Sequence, residues 1–185
     1  ATGIAVRDLL LGRFSPSARL PVTFYQSVSD LPDFIDYSMA NRTHRYYSGK
    51  PVYRFGEGIG YANIESTLAK APQSQTTNED LTLQIKLTNN SDIDGEEVLQ
   101  LYVEPKAAQS QEQQALKAFT SVKVAAGKTV NATLSIPKEE LYFIGENGKL
   151  VGAEVVQVRW DKDISGKWNM SEMEGSNRVI DCELV

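Results

Sequence analysis

The sequence predicts a mainly β protein: an immunoglobulin-like β-sandwich preceded by a remnant of an α/β domain, namely a helix, a strand and a long irregular arm. Three observations carry this. From about residue 63 onward, short alternating apolar runs are separated by turn signals roughly every ten residues. Between residues 26 and 62 no period survives, yet aromatics are dense. Before that, one helical stripe and one short alternating run stand alone, too little to bury each other.

Residues 3–11 read as a helix, because Val6, Leu9 and Leu10 fall on one stripe while Arg7 and Asp8 fall off it. Gly12 suits the residue just past the helix, where a left-handed backbone costs least, and Pro16 blocks any continuation. Leu20, Val22 and Phe24 alternate with Pro21 and Thr23, which predicts a short strand. Residues 1–25 are therefore expected to close an α/β domain. Residues 26–62 are broken by Pro32, Gly49, Pro51, Gly56, Gly58 and Gly60. They also carry Phe34, Tyr37, Tyr46, Tyr47, Tyr53, Phe55 and Tyr61, with Tyr25 at the edge. Disordered segments are poor in such groups, so an interdomain arm that packs its aromatics is expected. Sugar stacking is the competing role for some of the tyrosines.

Residues 63–185 are expected to form the sandwich. Leu81, Leu83, Ile85 and Leu87 alternate strictly with polar residues, and Asn89 to Asp92 and Asp94-Gly95 supply turns. Val98–Val103 follows, then an Ala- and Gln-rich polar connector over 106–114. Further strands are expected at Phe119–Val124, at Val130–Ile136 up to the stop at Pro137, and around Leu141–Phe143. The last two are expected at Val155–Trp160 and Val179–Leu184.

Composition excludes several classes. Basic residues are scattered and the net charge is −5, which argues against a phosphate-backbone partner. No run of eighteen apolar residues exists to span a membrane. The single cysteine, Cys182, rules out an intramolecular disulfide and reads as a buried, inert thiol sharing a face with Ile180 and Leu184. The only histidine, His44, has no sequence partner for acid–base work. No cluster has metal-ligand spacing, so neither metal nor cofactor is expected. The sequence opens at Ala1 without initiator Met or signal peptide, as a processed or truncated product would. Four sequons, at Asn41, Asn89, Asn131 and Asn169, would suit secretion from a glycosylating host.

The arm carries the recognisable wording. Residues 12–23 read GRFSPSARLPVT, and residues 36–61 read DYSMANRTHRYYSGKPVYRFGEGIGY. Both resemble the C-terminal section of family 3 glycoside hydrolases, the β-glucosidase and β-xylosidase group. The run from Asp94 to Val103 and Leu116-Lys117-Ala118-Phe119 are similar to that family's fibronectin type III-like domain. Departures fall at Ala18, where the family has Gly, at His44, where it has Tyr, and at Arg54, where it has Pro. If Ala18 had to adopt positive φ, strain would follow. Independently of the family, Gly56, Gly58 and Gly60 are expected to permit close backbone passage and positive φ. Arg19, Arg42 and Arg45 are expected to fork onto carbonyls or a carboxylate.

The resemblance implies a parent that hydrolyses terminal β-linked glucose or xylose with retention, by two carboxylates roughly 5 Å apart. It also implies that both lie upstream, so no catalytic residue is expected in this chain, and substrate-binding residues stay unassigned. Glu96 and Glu97 are adjacent on an expected strand and point to opposite faces, so they cannot flank one bond. Solvated surface charge is expected of nearly all the acids; Glu57, in the glycine-rich arm, is the one for which a sugar or interdomain contact stands as the competing reading. The implied partners are the upstream catalytic domains and, through them, a carbohydrate. Secretion or a periplasmic location is the implied setting. The rival readings are a stand-alone binding or adhesion module and a structural homologue without catalysis.

Overall fold

The computed structural model describes residues 2–70, 79–105, 114–144, 150–152, 155–160 and 179–183. Two antiparallel sheets face each other. One has the order β1-β2-β5, from β1 (Ile64–Lys70), β2 (Leu81–Asn89) and β5 (Thr129–Ile136). The other has the order β4-β3-β8-β9, from β3 (Gly95–Pro105), β4 (Ala115–Val124), β8 (Val155–Trp160) and β9 (Val179–Glu183). A small hairpin, β6 (Tyr142–Ile144) with β7 (Leu150–Gly152), stands apart from both sheets.

The period-2 pattern explains the layering. Along β2, Leu81, Leu83, Ile85 and Leu87 are buried between exposed or half-exposed polar residues. Ala132, Leu134 and Ile136 of β5 do the same, paired with Ile85, Leu83 and Leu81. Leu99, Leu101 and Val103 of β3 and Val124 of β4 close the core from the opposite sheet. A fully buried aliphatic side chain of this kind contributes about 1.5–3 kcal/mol over leaving it exposed.

The expected reversal after β2 is present and uses polar chemistry, while Gly95, expected in a second turn, is already the first residue of β3. Asn89 is buried at the end of β2. Its Nδ2 donates to the carbonyls of Ile93 at 2.9 Å and Val124 at 3.0 Å, and its Oδ1 accepts from the Ser91 amide at 3.0 Å. One side chain thus joins β2, the turn after it and the end of β4. Gly127, at φ 65°, closes the Ala126-Gly127-Lys128 turn. Residues 106–113, 145–149 and 161–178 lie outside the described residues, and with them most of the expected connector and Glu146-Asn147-Gly148, whose residue types predict a turn after Phe143. The backbone of Cys182 pairs with Val156 in the β8–β9 ladder; its side-chain environment lies outside the described set.

The amino-terminal region departs from expectation in places. Helix α1 (Thr2–Leu10) forms as the stripe requires, and Gly12 follows it at φ 65°. None of its residues is buried. Residues 20–24 do not form a strand. The backbone bends at Pro21 and Val22, and it hydrogen-bonds to the returning arm at two places. Leu20 exchanges hydrogen bonds with Glu57 and Gly56, and Phe24 exchanges them with Tyr53 and Val52, all at 2.8–2.9 Å. Pro21 lacks an N–H, which interrupts any ladder between these contacts. Ala18 carries no strain: the positive-φ residues other than glycine, among those described, are Asn41 and Thr43. Of Gly56, Gly58 and Gly60, Gly56 alone adopts positive φ, at 81°, while Gly58 and Gly60 serve close passage.

Candidate functional site

Strand β3 is buried on both faces from Leu99 to Val103. Leu99, Leu101 and Val103 face the core. Gln100 and Tyr102, which alternation sends to the other side, are also buried, because the arm covers them. The Gln100 amide donates to the Gly56 carbonyl at 3.3 Å, and the Tyr102 hydroxyl donates to Gln100 Oε1. A Cβ at Gly56 would collide with both side chains, so glycine there is required by space as well as by φ. His44, on the short helix α2 (Thr43–Tyr46), stacks on Phe55 with ring centroids 4.0 Å apart and 15° between planes. Tyr102 meets both rings edge-on at 6.3 and 6.5 Å. His44 thus acts as an aromatic plate in the seam.

A second fastening lies at the end of β3. The Arg19 guanidinium donates to the Gly58 carbonyl at 3.2 Å and pairs with Glu97, the two side chains being 11% and 9% exposed. The expected fork onto a carbonyl and a carboxylate is realised here. Glu97 itself was missed by sequence reasoning: it is buried, whereas surface charge was expected. The available signal was its parity with Leu99 and Leu101 on the core-facing side of β3. Nearby, Ser15 Oγ accepts from the amides of Tyr61 at 2.9 Å and Ala62 at 3.0 Å. The Tyr61 hydroxyl donates to the Leu9 carbonyl at 3.1 Å, which ties α1 to the sandwich entrance.

A cleft of about 410 Å³ runs between the arm and the sandwich, bordered by Ser15, Arg19, Tyr61, Ile64, Glu96 and Glu97. Its carboxylates are spent on structure. Glu96 accepts from the Ser121 hydroxyl and Glu97 pairs with Arg19, so the adjacent pair diverges as strand geometry demands. Glu57 accepts from the Arg54 amide at 2.8 Å and closes its own turn. Among the described residues no group of three or more potential metal ligands comes together.

The third feature is apolar and exposed. Val28, Leu31, Ile35, Tyr37 and Met39 stand largely in solvent, with Phe34 92% exposed. On α1 and just beyond it, Ile4, Val6, Leu10, Leu11 and Phe14 are exposed as well. The turn that carries Phe34 and Tyr37 is stiff. Asp36 accepts from the Ser38 amide at 2.8 Å and its hydroxyl at 3.1 Å. Arg42 donates to the carbonyls of Ser38, at 2.8 Å, and Asp36. The Ser38 amide bond, then the Ser38 hydroxyl, hold the Asp36 carboxyl below its ordinary range, helped by the Arg42 charge. Ser27 and Asp30 close a capping box just before it. Arg45 lies 5.9 Å from the Tyr46 ring centre in a cation–π contact.

Fold and site together define a β-sandwich module with an attached arm that displays unpartnered apolar surface. Residues 1–61 match the glycosyl hydrolase family 3 C-terminal domain, and residues 97–159 match a fibronectin type III-like domain. The chain belongs to glycosyl hydrolase family 3, as a C-terminal portion with its fibronectin type III-like domain. It is 37% identical over 141 residues to a xylan 1,4-β-xylosidase of Xylanibacter ruminicola, covering 76% of this chain and 16% of the relative. It is 26% identical to a periplasmic β-glucosidase of Salmonella typhimurium, over 96% of this chain and 24% of that one. The β-glucosidase from Listeria innocua, solved with glucose, superposes with a TM-score of 0.77 at 25% identity, covering 100% of this chain and 26% of that chain. The chain thus spans about a quarter or less of the proteins it matches. No described helix is long and apolar enough to cross a membrane.

Proposed function

We propose that this chain is the non-catalytic C-terminal part of a β-glycosidase that removes terminal β-linked glucose or xylose, and that it braces the catalytic domains. In this reading residues 1–25 close an α/β domain, residues 26–62 form the interdomain arm and residues 63–185 form the sandwich. The observation that carries it is the segregation of exposed apolar surface. The described sandwich buries its central aliphatic side chains and leaves Phe119 and Ile144 as its exposed large apolar residues, whereas Ile4 and Leu10 of α1 and Phe34, Ile35 and Tyr37 of the arm are all left open. Large apolar side chains exposed in such concentration within residues 1–62 point to an interface. The engaged state of Glu57, Glu96 and Glu97 supports placing both reacting carboxylates outside this chain. The parent's partners are then its own upstream domains and a carbohydrate, with secretion or the periplasm as its setting.

The purified chain is expected to give no turnover of aryl β-glucosides or β-xylosides. Activity is expected only from a polypeptide that also carries the preceding domains. Turnover that follows the chain through rigorous purification and is lost with Glu57→Gln or Glu96→Gln would overturn the assignment.

A further inference from the structure

The exposed apolar surface of the arm is not one patch of loose chain. α1 offers one part of it. The turn over residues 33–39 offers another, and that turn is folded before any partner arrives. Its polar groups are used internally: Asp36 N donates to Asp33 O at 3.0 Å, Asp36 caps Ser38, and Arg42 holds two of its carbonyls. Phe34, Ile35 and Tyr37, exposed at 92%, 78% and 88%, are what remains to be presented. The turn is also registered on the sandwich. Arg42 leads directly into α2, whose His44 stacks on Phe55 while Tyr102 of β3 meets both rings edge-on. Tyr25 adds a tie. Its hydroxyl contacts the Asn41 carbonyl and the Thr43 amide at 3.4 and 3.3 Å, while its ring meets Tyr47 at 4.7 Å.

We propose that residues 33–39 form a preformed docking finger, with Phe34, Ile35 and Tyr37 as anchors, for an apolar socket on the preceding α/β body of the same polypeptide. This rests on the bracing role proposed above and adds its mechanism: rigid insertion of a finger whose position the sandwich sets. The occupant follows from two facts. The finger lies within residues 1–61, which match the family 3 C-terminal domain rather than the sandwich. The matched relatives also hold most of their length outside the part that this chain covers. Aliphatic Ile35 between two aromatics suits a protein socket, since sugar stacking uses aromatic faces alone. A stiff finger loses little conformational freedom on docking, which is the physical advantage of building it in advance.

Hydroxyl-radical footprinting of the chain alone, and of a longer polypeptide that includes the preceding domains, tests this. In the chain alone, Phe34 and Tyr37 are expected to label rapidly while the Ser38 and Arg42 amides already exchange slowly. In the longer polypeptide, labelling of Phe34 and Tyr37 is expected to fall about tenfold, as burial of an anchor requires. Val6 and Leu10 of α1 serve as the internal reference. If they become protected and the finger does not, the finger proposal fails while the bracing role stands. If neither becomes protected, both fail. Protection of the finger in the chain alone that rises with concentration would make a second copy the occupant and overturn the proposal. Protection that appears only with added glucose or xylose would make the occupant a sugar, with the same consequence. Rapid exchange at Ser38 and Arg42 would refute preformation.

Discussion

Removing Glu97 tests how the arm is held. In Glu97→Ala the Arg19 guanidinium stays in an 11%-exposed position and keeps its bond to the Gly58 carbonyl, while its Nε already has no partner among the described residues. Breaking a buried ion pair from one side typically costs about 3–5 kcal/mol, because a charge is left in poor solvent. The cleft beside this pair admits water, so the lower end, about 3 kcal/mol, is expected here. With a urea dependence of about 1.5–3 kcal/mol per molar, the unfolding midpoint should fall by about 1–2 M. Arg19→Met should also destabilise, since it takes the Arg19 cation away from the buried Glu97 carboxylate. The double variant Arg19→Met with Glu97→Leu removes both charges and should return to within about 1 kcal/mol of the parent chain. The coupling between the two sites should then be at least about 2 kcal/mol. Urea unfolding followed by far-ultraviolet circular dichroism measures all four chains. Single variants that each cost under about 0.5 kcal/mol, with additive effects, would show that the pair is solvated and the clamp idle.

Three further outcomes are expected. Gly58→Ala should destabilise by about 1–3 kcal/mol and speed proteolysis of the arm, because the new Cβ would run into the Ala18 carbonyl; Gly3→Ala, which meets nothing within 4 Å, should be tolerated in the same digestion assay. The finger should loosen at acid pH. The Asp36 carboxyl titrates below its ordinary 3.8, so its contribution is fully present above that value and is lost as pH falls through the depressed one. Protection of the Ser38 amide, with its exchange rate corrected for the intrinsic pH dependence, should fall over that window, and Asp36→Asn should remove that fall. Asn89→Ala should cost about 2–4 kcal/mol in urea, since it deletes bonds to Ile93, Ser91 and Val124 in a buried corner, whereas Asn131→Ala on the exposed face of β5 should stay within about 0.5 kcal/mol.

The sandwich was legible because its code is local. Leu81 to Leu87 alternate without interruption, and burial alternates with them. The turn residues Asn89 and Gly127 stand where the chain reverses. The arm was less legible, because its order comes from distant partners. Leu20 and Phe24 alternate like a strand, yet they find partners only in residues 52–57. Glu97 reads as surface charge until Arg19, far away in sequence, is brought onto it. Glu57 stood out in a glycine-rich run, and its carboxylate turned out to serve the Arg54 amide. His44 carried no local sign of the Phe55 and Tyr102 rings that hold it. The misses at Leu20, Phe24, Glu97 and His44 concern side chains or backbone whose environment another segment supplies, whereas Glu57 is satisfied within its own turn.

The double burial of β3 bears on how such modules can be exchanged between relatives. A chimera joined at residue 63 would inherit Gln100, Tyr102 and Glu97 from one parent and Gly56, Phe55 and Arg19 from the other. Its seam would combine surfaces shaped for different counterparts, one of them charged. A junction placed before Ser15 would carry both halves across together, along with the Ser15 bonds to Tyr61 and Ala62. The heritable unit is therefore longer than the sandwich, and a successful graft must cut upstream of it.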